Sequence, residues 1–316
     1  MKKVKIRRTD GTIVEIPVPK EDKGATERRT KTEKVLHLII AAVLIIHICS
    51  LFLPWVWTFL SALKEKLEFA NGDPLALPKK WLFSNFVKAF SSLEVKGATS
   101  GEVTTFGGMI WNSVWYVGIN SLLDLFVPAC TGYCLSKYNF KGKTLIYTTA
   151  ITCMTIPIIG SMASAFRIYK SLGIYDTPLY VIVSSMGGFG GTFLIYYGYF
   201  KNISWSYAEA TMMDGGGPFT IFFKIMLPQA MPLLTTYAIT GAISSWNDYM
   251  TFITYMPSWP NLATGLYQFL AEAKREAADY PLFFAGALIS LIPTIIIFLT
   301  CSSKIMTSLS IGGLKG

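Results

Sequence analysis

Long apolar runs separated by short polar stretches dominate the chain, and most runs are long enough to cross a bilayer. The first extends over about Val35 to Leu63, bracketed by Lys34 and Lys64. At about 1.5 Å per residue it exceeds a hydrocarbon core of about 30 Å, which predicts a helix that tilts or continues past the interface. A polar loop from Lys64 to Thr105, with Asn71-Gly72-Asp73-Pro74 and Pro78, contains a predicted short helix at Asn85 to Leu93. Further spans are predicted at about Phe106 to Leu135, Thr144 to Phe166, Pro178 to Phe200, Ala230 to Tyr255 and Pro281 to Cys301. Before the last of them, Leu262 to Ala278 has helical apolar spacing with charges interspersed, which predicts a helix along the outer interface. The pattern as a whole predicts an all-α membrane protein with six transmembrane helices. Residues 1 to 34 are polar; Asp10-Gly11 between two alternating runs fits a hairpin turn, and a disordered tail fits the same stretch.

One interruption stands apart. Residues Glu209 to Pro228, EATMMDGGGPFTIFFKIMLP, carry Asp214 and three consecutive glycines between two apolar runs and must lie outside the lipid. Asn202 or Ser204 suits a helix N-cap, and Ser206 with Glu209 has the spacing of a capping box. Gly215 supplies a left-handed stop and Pro218 suits the first turn of a following helix. Two short helices joined by a bend are expected, in which Glu209 on local grounds alone is a capping residue.

Composition agrees with the hydropathy pattern. The chain is 52% hydrophobic and only 15% charged over 316 residues, too poor in charge for an ordinary soluble domain. The net charge of +9 does not point to nucleic acid, because 11 of the 28 Lys and Arg fall in the first 34 residues, beside the first apolar run. Basic residues there orient a helix or meet anionic lipid. With six spans both termini share a face, together with the Lys137 to Lys143 turn and the Glu209 to Pro228 stretch. That face holds 18 Lys and Arg against 10 on the other, which places both termini and the bend in the cytoplasm. The first apolar run starts too late and is too long for the core of a cleavable signal peptide.

Little in the sequence suits catalysis. The five cysteines lie inside apolar segments and read as small buried hydrophobes; Cys130 and Cys134 are one turn apart but lack neighbouring ligands for a metal. His37 and His47 lie in the first apolar run, where packed or interfacial positions are expected. No loop ending in Gly-Lys-Ser/Thr is present, so nothing suggests that the chain binds ATP itself. The glycines at 187 to 191 suit close helix packing or a broken helix better than a phosphate cradle. Two carboxylates sit at membrane depth, Asp124 and Asp248, and an ionisable group there is costly unless it is paired or faces water. Asp248 belongs to a polar cluster with Ser245, Trp246, Asn247 and Tyr249, whose aromatic faces and amide edges suit a sugar ring. Asn112, Ser113 and Asn120 suit the same cavity, and interhelical polar packing is an equal reading of the whole set. An acid and base pair of Asp124 and Asp248 is the one enzymatic alternative.

The spacing Glu209-Ala210, Gly215, then Ile225 and Leu227-Pro228 resembles the signature of integral membrane subunits of ATP-binding-cassette importers. Asp214 and Pro232 fit the sugar-transporting branch, whereas Thr211 departs from the usual second alanine and Ser204 stands where proline is common. Asn112-Ser113, the turn from Leu135 to Lys143, the stretch Ser245 to Tyr249 and the terminal Gly312-Gly313-Leu314-Lys315-Gly316 resemble the second permease of maltose-type and multiple-sugar importers. The resemblance covers about residues 35 to 316, leaving 1 to 34 as an extension, 35 to 303 as a permease domain with a coupling loop at about 201 to 229, and 304 to 316 as a tail.

It implies the type I importer permease fold in a bacterial-type plasma membrane. It also implies a heterodimer with a second permease subunit, two cytoplasmic ATPase subunits that carry the Mg-ATP, and an extracytoplasmic solute-binding protein. The implied cargo is a carbohydrate, with a glycerol phosphate or a polyamine as the alternative, and no cofactor or catalysis belongs to the chain itself. Glu209, Ala210, Asp214, Gly215, Ile225, Leu227 and Pro228 are the implied ATPase contacts.

Overall fold

The computed structural model describes residues 3–7, 13–17, 31–96, 101–156, 160–273 and 279–313, and it is mostly helical. Two compact units divide the chain, Met1–Val56 and Trp57–Gly316. In the first, strands β1 (Lys3–Arg7) and β2 (Ile13–Pro17) pair antiparallel from Lys3 opposite Pro17 to Arg7 opposite Ile13. The expected Asp10-Gly11 turn lies outside the described residues. Helix α1 (Lys31–Ala62) begins in this unit, and from Val35 to Val56 all its large apolar side chains are exposed. Such a surface is unstable in water and suits hydrocarbon.

The second unit opens with the short helices α2 (Lys66–Asn71) and α3 (Ser84–Ser92) and a strand pair, β3 (Glu94–Lys96) and β4 (Val103–Thr105). Helix α4 (Phe106–Lys137) follows, its first turn capped by the Thr105 hydroxyl, which accepts from the Gly108 N–H. Next come α5 (Lys143–Thr155), α6 (Ser161–Ser171), α7 (Leu179–Ser185) and α8 (Gly191–Asn202). The chain then folds into α9 (Ser206–Met213), the turn α10 (Pro218–Thr220), a π-helical segment (Ile221–Met226) and α11 (Leu227–Trp246). Helices α12 (Met250–Tyr255), α13 (Leu262–Ala273) and α14 (Tyr280–Gly313) complete it.

Among the described residues four helical stretches are long and apolar enough to cross a membrane: Lys34–Ala62, Phe106–Lys137, Pro218–Trp246 and Tyr280–Thr300. The other two expected spans are built from pairs of shorter helices, α5 with α6 and α7 with α8. The expected fifth span stops early, at Trp246, where the Asn247 amide donates back to the Ile243 carbonyl at 2.8 Å. Helix α4 is the hub, packed against α7, α8 and α11. One core cluster joins α4, α8, α9 and α11 through Tyr133, Tyr196, Phe200, Ala208, Phe222, Met226 and Leu234. A second, at the other end of α4, joins Phe106 and Met109 to Trp246, Leu262, Leu282 and Ala285. In it the apolar side of α13 packs on protein, through Leu262, Leu266 and Phe269.

Candidate functional site

The Glu209–Pro228 stretch forms the expected pair of short helices around a bend. The Ser204 hydroxyl, rather than that of Ser206, receives the first free N–H, from Ser206 at 3.3 Å, so the Ser206 and Glu209 capping box does not form. Trp205 decides this: it is half-buried against the first core cluster, its ring 6.1 Å from Tyr138, and it starts the helix one residue early. The Lys137 ammonium donates to the Ile203 carbonyl and ties the end of α4 to the same point. Gly215 adopts φ 78, a left-handed conformation that a Cβ disfavours, and Pro218 opens the next turn. Thr211, the departure from alanine, sits with its methyl where a side chain at Gly216 would meet it at 2.6 Å. The bare Gly216 makes room for it.

Glu209, Ala210, Asp214 and Gly215 are all exposed, and so is Pro228, whereas Leu227 is buried and Ile225 half-buried. Met213 and Phe219 stand out on the bend at 88% and 80% exposed. The opposite side of the element is anchored by Ala208, Ile221, Phe222 and Met226, with the Phe222 ring 4.7 Å from that of Tyr133 on α4. The segment is thus fixed to α4 on one side and open on the other.

The polar cluster around Asp248 is knotted into the fold. Asn112 donates to the Pro260 carbonyl at 2.9 Å and accepts from the Trp115 indole at 3.1 Å. The Ser113 hydroxyl accepts from the Leu262 N–H and donates to the Met109 carbonyl, both at 3.0 Å. The Trp246 indole donates to the Ser290 carbonyl at 3.0 Å, and the ring is 5% exposed. The Asp248 carboxylate accepts from the Tyr116 hydroxyl at 2.9 Å and from the Thr251 N–H at 3.0 Å. Tyr249 stacks on Tyr267 with ring centres 4.6 Å apart, and Asn247 is exposed. Asp248 and Asp124 do not share a site: Tyr116, the partner of Asp248, lies about 12 Å along α4 from Asp124.

Asp124 instead lines a cavity of about 420 Å³ between α4, the α7–α8 connection and α11. Ser121, Ser184, Ser185, Thr192, Tyr237, Thr240 and Ser244 give it polar walls. Its roof is the non-helical backbone of Gly187 to Gly190, where Gly188 takes φ 60 and its carbonyl accepts from the Thr131 hydroxyl at 2.8 Å. Asn120 closes the wall by donating to the Ser245 hydroxyl at 2.7 Å and accepting from that of Ser185 at 2.6 Å. Non-helical backbone at membrane depth is tolerated where it is buried or lines a water-filled cavity. Of these residues Asp124, Asn120, Ser245 and the glycines signalled themselves in the sequence, Asn120 and Ser245 as part of the Asp248 cluster; the other serines and threonines, scattered over three helices, gave no local sign of meeting.

Comparison with known proteins accords with this layout. A family model described as binding-protein-dependent transport system inner membrane component matches residues 125–301. The probable ABC transporter permease protein YurM of Bacillus subtilis is 28% identical over 316 residues, covering 98% of this chain and 99% of that one. The diacetylchitobiose uptake system permease protein NgcG of Streptomyces coelicolor is 25% identical over 86% of both chains. The maltose/maltodextrin transport system permease protein MalG of Salmonella typhimurium is 25% identical, over 90% of this chain and 98% of that one. A bacterial ABC transporter involved in import of the acidic polysaccharide alginate contains a chain of the same fold, with a TM-score of 0.70 at 21% identity over 87% of this chain and 98% of that one. The chain therefore belongs to the family of inner membrane components of binding-protein-dependent transport systems, as a multi-pass permease rather than an enzyme.

Proposed function

We propose that this permease forms half of the translocation pathway for a carbohydrate, an oligosaccharide in particular, and is driven through the Glu209–Pro228 bend by cytoplasmic ATPase subunits. The partners are a second permease, two ATPase subunits that bind the Mg-ATP, and an extracytoplasmic solute-binding protein. Relatives named for diacetylchitobiose and maltodextrin uptake support the cargo class. The path has six spans, with α5–α6 and α7–α8 each acting as one broken span, and both termini and the bend are cytoplasmic, in keeping with the basic-residue asymmetry. Residues 1 to 34 form an extension outside the permease domain of 35 to 303, and 304 to 316 a cytoplasmic tail. Asn112, Ser113, Trp246 and Asp248, whose bonding groups are engaged within the protein, hold the wall of the pathway, and Asn247 and Tyr249 border it.

The observation that carries the drive mechanism is the two-sidedness of the bend. Met213 and Phe219 project from it while Phe222 and Met226 lock it to α4 and α8. Motion of a docked partner then passes through packed rings into the helices that wall the cavity. Gly215→Val tests this: a β-branched residue at φ 78 costs at least about 1–2 kcal/mol and distorts the bend. Co-purification of the ATPase subunits and ATP-dependent uptake are expected to fall together. Normal association with normal uptake would sink the proposal.

A further inference from the structure

Building on the permease reading above, we infer that Asp124 sets the charge preference of the pathway, favouring cationic and neutral glycans over those that bear carboxylates. Among the described residues it is the only charged side chain on the cavity wall, it is exposed, and no hydrogen bond or ion pair engages its carboxylate. An ionised carboxylate facing lipid is expensive, so this position calls for water or a polar ligand.

Four hydroxyls on the wall turn acceptors towards the cavity. The hydroxyl protons of Ser184, Ser185, Thr240 and Ser244 are already given, to the Val181 carbonyl, the Asn120 side chain, and the Thr236 and Thr240 carbonyls. What those four residues offer the cavity is lone pairs. Donors are the Ser121, Thr192 and Tyr237 hydroxyls, that of Ser121 without a partner among the described residues, and the backbone N–H groups that open α8. A polar wall whose charge is a carboxylate takes the hydroxyls of a neutral sugar and above all the ammonium of an amino sugar. A uronate brings a like charge, which is mismatched.

The test uses the purified importer with both permeases and the ATPase subunits and no solute-binding protein, so that upstream selection does not enter. Binding of three trisaccharides is measured: a chitosan trimer, maltotriose and trigalacturonate. The unaltered complex is expected to bind the cationic trimer about tenfold or more tighter than the anionic one, with maltotriose between. In Asp124→Asn the spread should collapse to within about threefold, while Asp124→Glu, which keeps the charge, should preserve it. Survival of the preference in Asp124→Asn, its absence from the unaltered complex, or dissociation of the permease pair in Asp124→Asn would each overturn the assignment, the last by making the carboxylate a subunit contact. A failure of the permease reading itself looks different, since no ATPase subunit would then co-purify with any variant.

Discussion

Two side chains near the Asp248 cluster show how much structure single residues carry. Asp176 is the one described non-glycine residue with positive φ, at 59, and it joins two loops: its N–H donates to the Tyr255 carbonyl at 2.8 Å. Its carboxylate accepts from the Ser258 N–H at 2.9 Å and the Ser258 hydroxyl at 2.7 Å, and its carbonyl accepts from the Trp259 indole. Asp176→Ala removes two acceptors and leaves alanine in a left-handed conformation, so a loss of about 1–3 kcal/mol is expected. Asp176→Asn keeps an acceptor and tolerates the backbone, so its melting temperature should lie close to that of the unaltered chain. Trp246→Phe addresses the neighbouring knot. It keeps a ring in the second core but removes the indole bond to the Ser290 carbonyl, which lowers stability by about 1 kcal/mol. If the residue holds the wall rather than grips cargo, maltotriose binding to the assembled importer should stay within about twofold; a loss of tenfold or more at unchanged assembly would make Trp246 a direct contact.

Helices and breaks were legible in the sequence to different degrees. The long spans declare themselves because hydrocarbon demands continuous apolar runs, and the observed α1 and α4 begin and end within a few residues of the expected limits. The glycines at 187 to 191 suited either close packing or a break, and the structure has the break, with α7 and α8 on either side of it. The end of α11 at Trp246 was hidden, because the polar Ser244 to Tyr249 stretch sits inside an apolar run and its helix-ending bonds are made by side chains to the preceding turn. The cavity was hidden for a different reason: its serines and threonines each look like ordinary helix residues that bond to the turn before them, and only the tertiary packing of α4 against α8 and α11 brings them together. That packing depends on close approach at Gly132, where a Cβ would lie 2.9 Å from the Tyr197 backbone nitrogen. Backbone cannot give way as a flexible side chain does, so Gly132→Val should drive α4 and α8 apart and cost about 2–3 kcal/mol. Thermal unfolding of the detergent-purified importer measures this, and an unchanged transition would mean that the two helices have slack.

At the scale of the whole molecule, sidedness decides how the parts work together, because the bend is useful only on the face where ATP is hydrolysed. The proposed topology of six spans, oriented by the charge asymmetry, would set Met213 and Asn139 on the cytoplasmic face, and Asp73 and Trp259 on the outer face. Each lies in a connection between the expected spans, and none belongs to the buried residues of a core cluster. In a background with all five native cysteines changed to serine or alanine, a membrane-impermeant maleimide applied to intact cells should label Asp73→Cys and Trp259→Cys. Met213→Cys and Asn139→Cys should react only after the membrane is opened. An odd number of spans, with α5–α6 or α7–α8 failing to cross, would put Asn139 and Met213 on opposite faces, since only those two broken spans separate them. Labelling of Met213→Cys from outside would remove the bend from the ATPase and with it the proposed drive, whereas the expected pattern joins the exposed Met213 and Phe219 to the compartment where the nucleotide is.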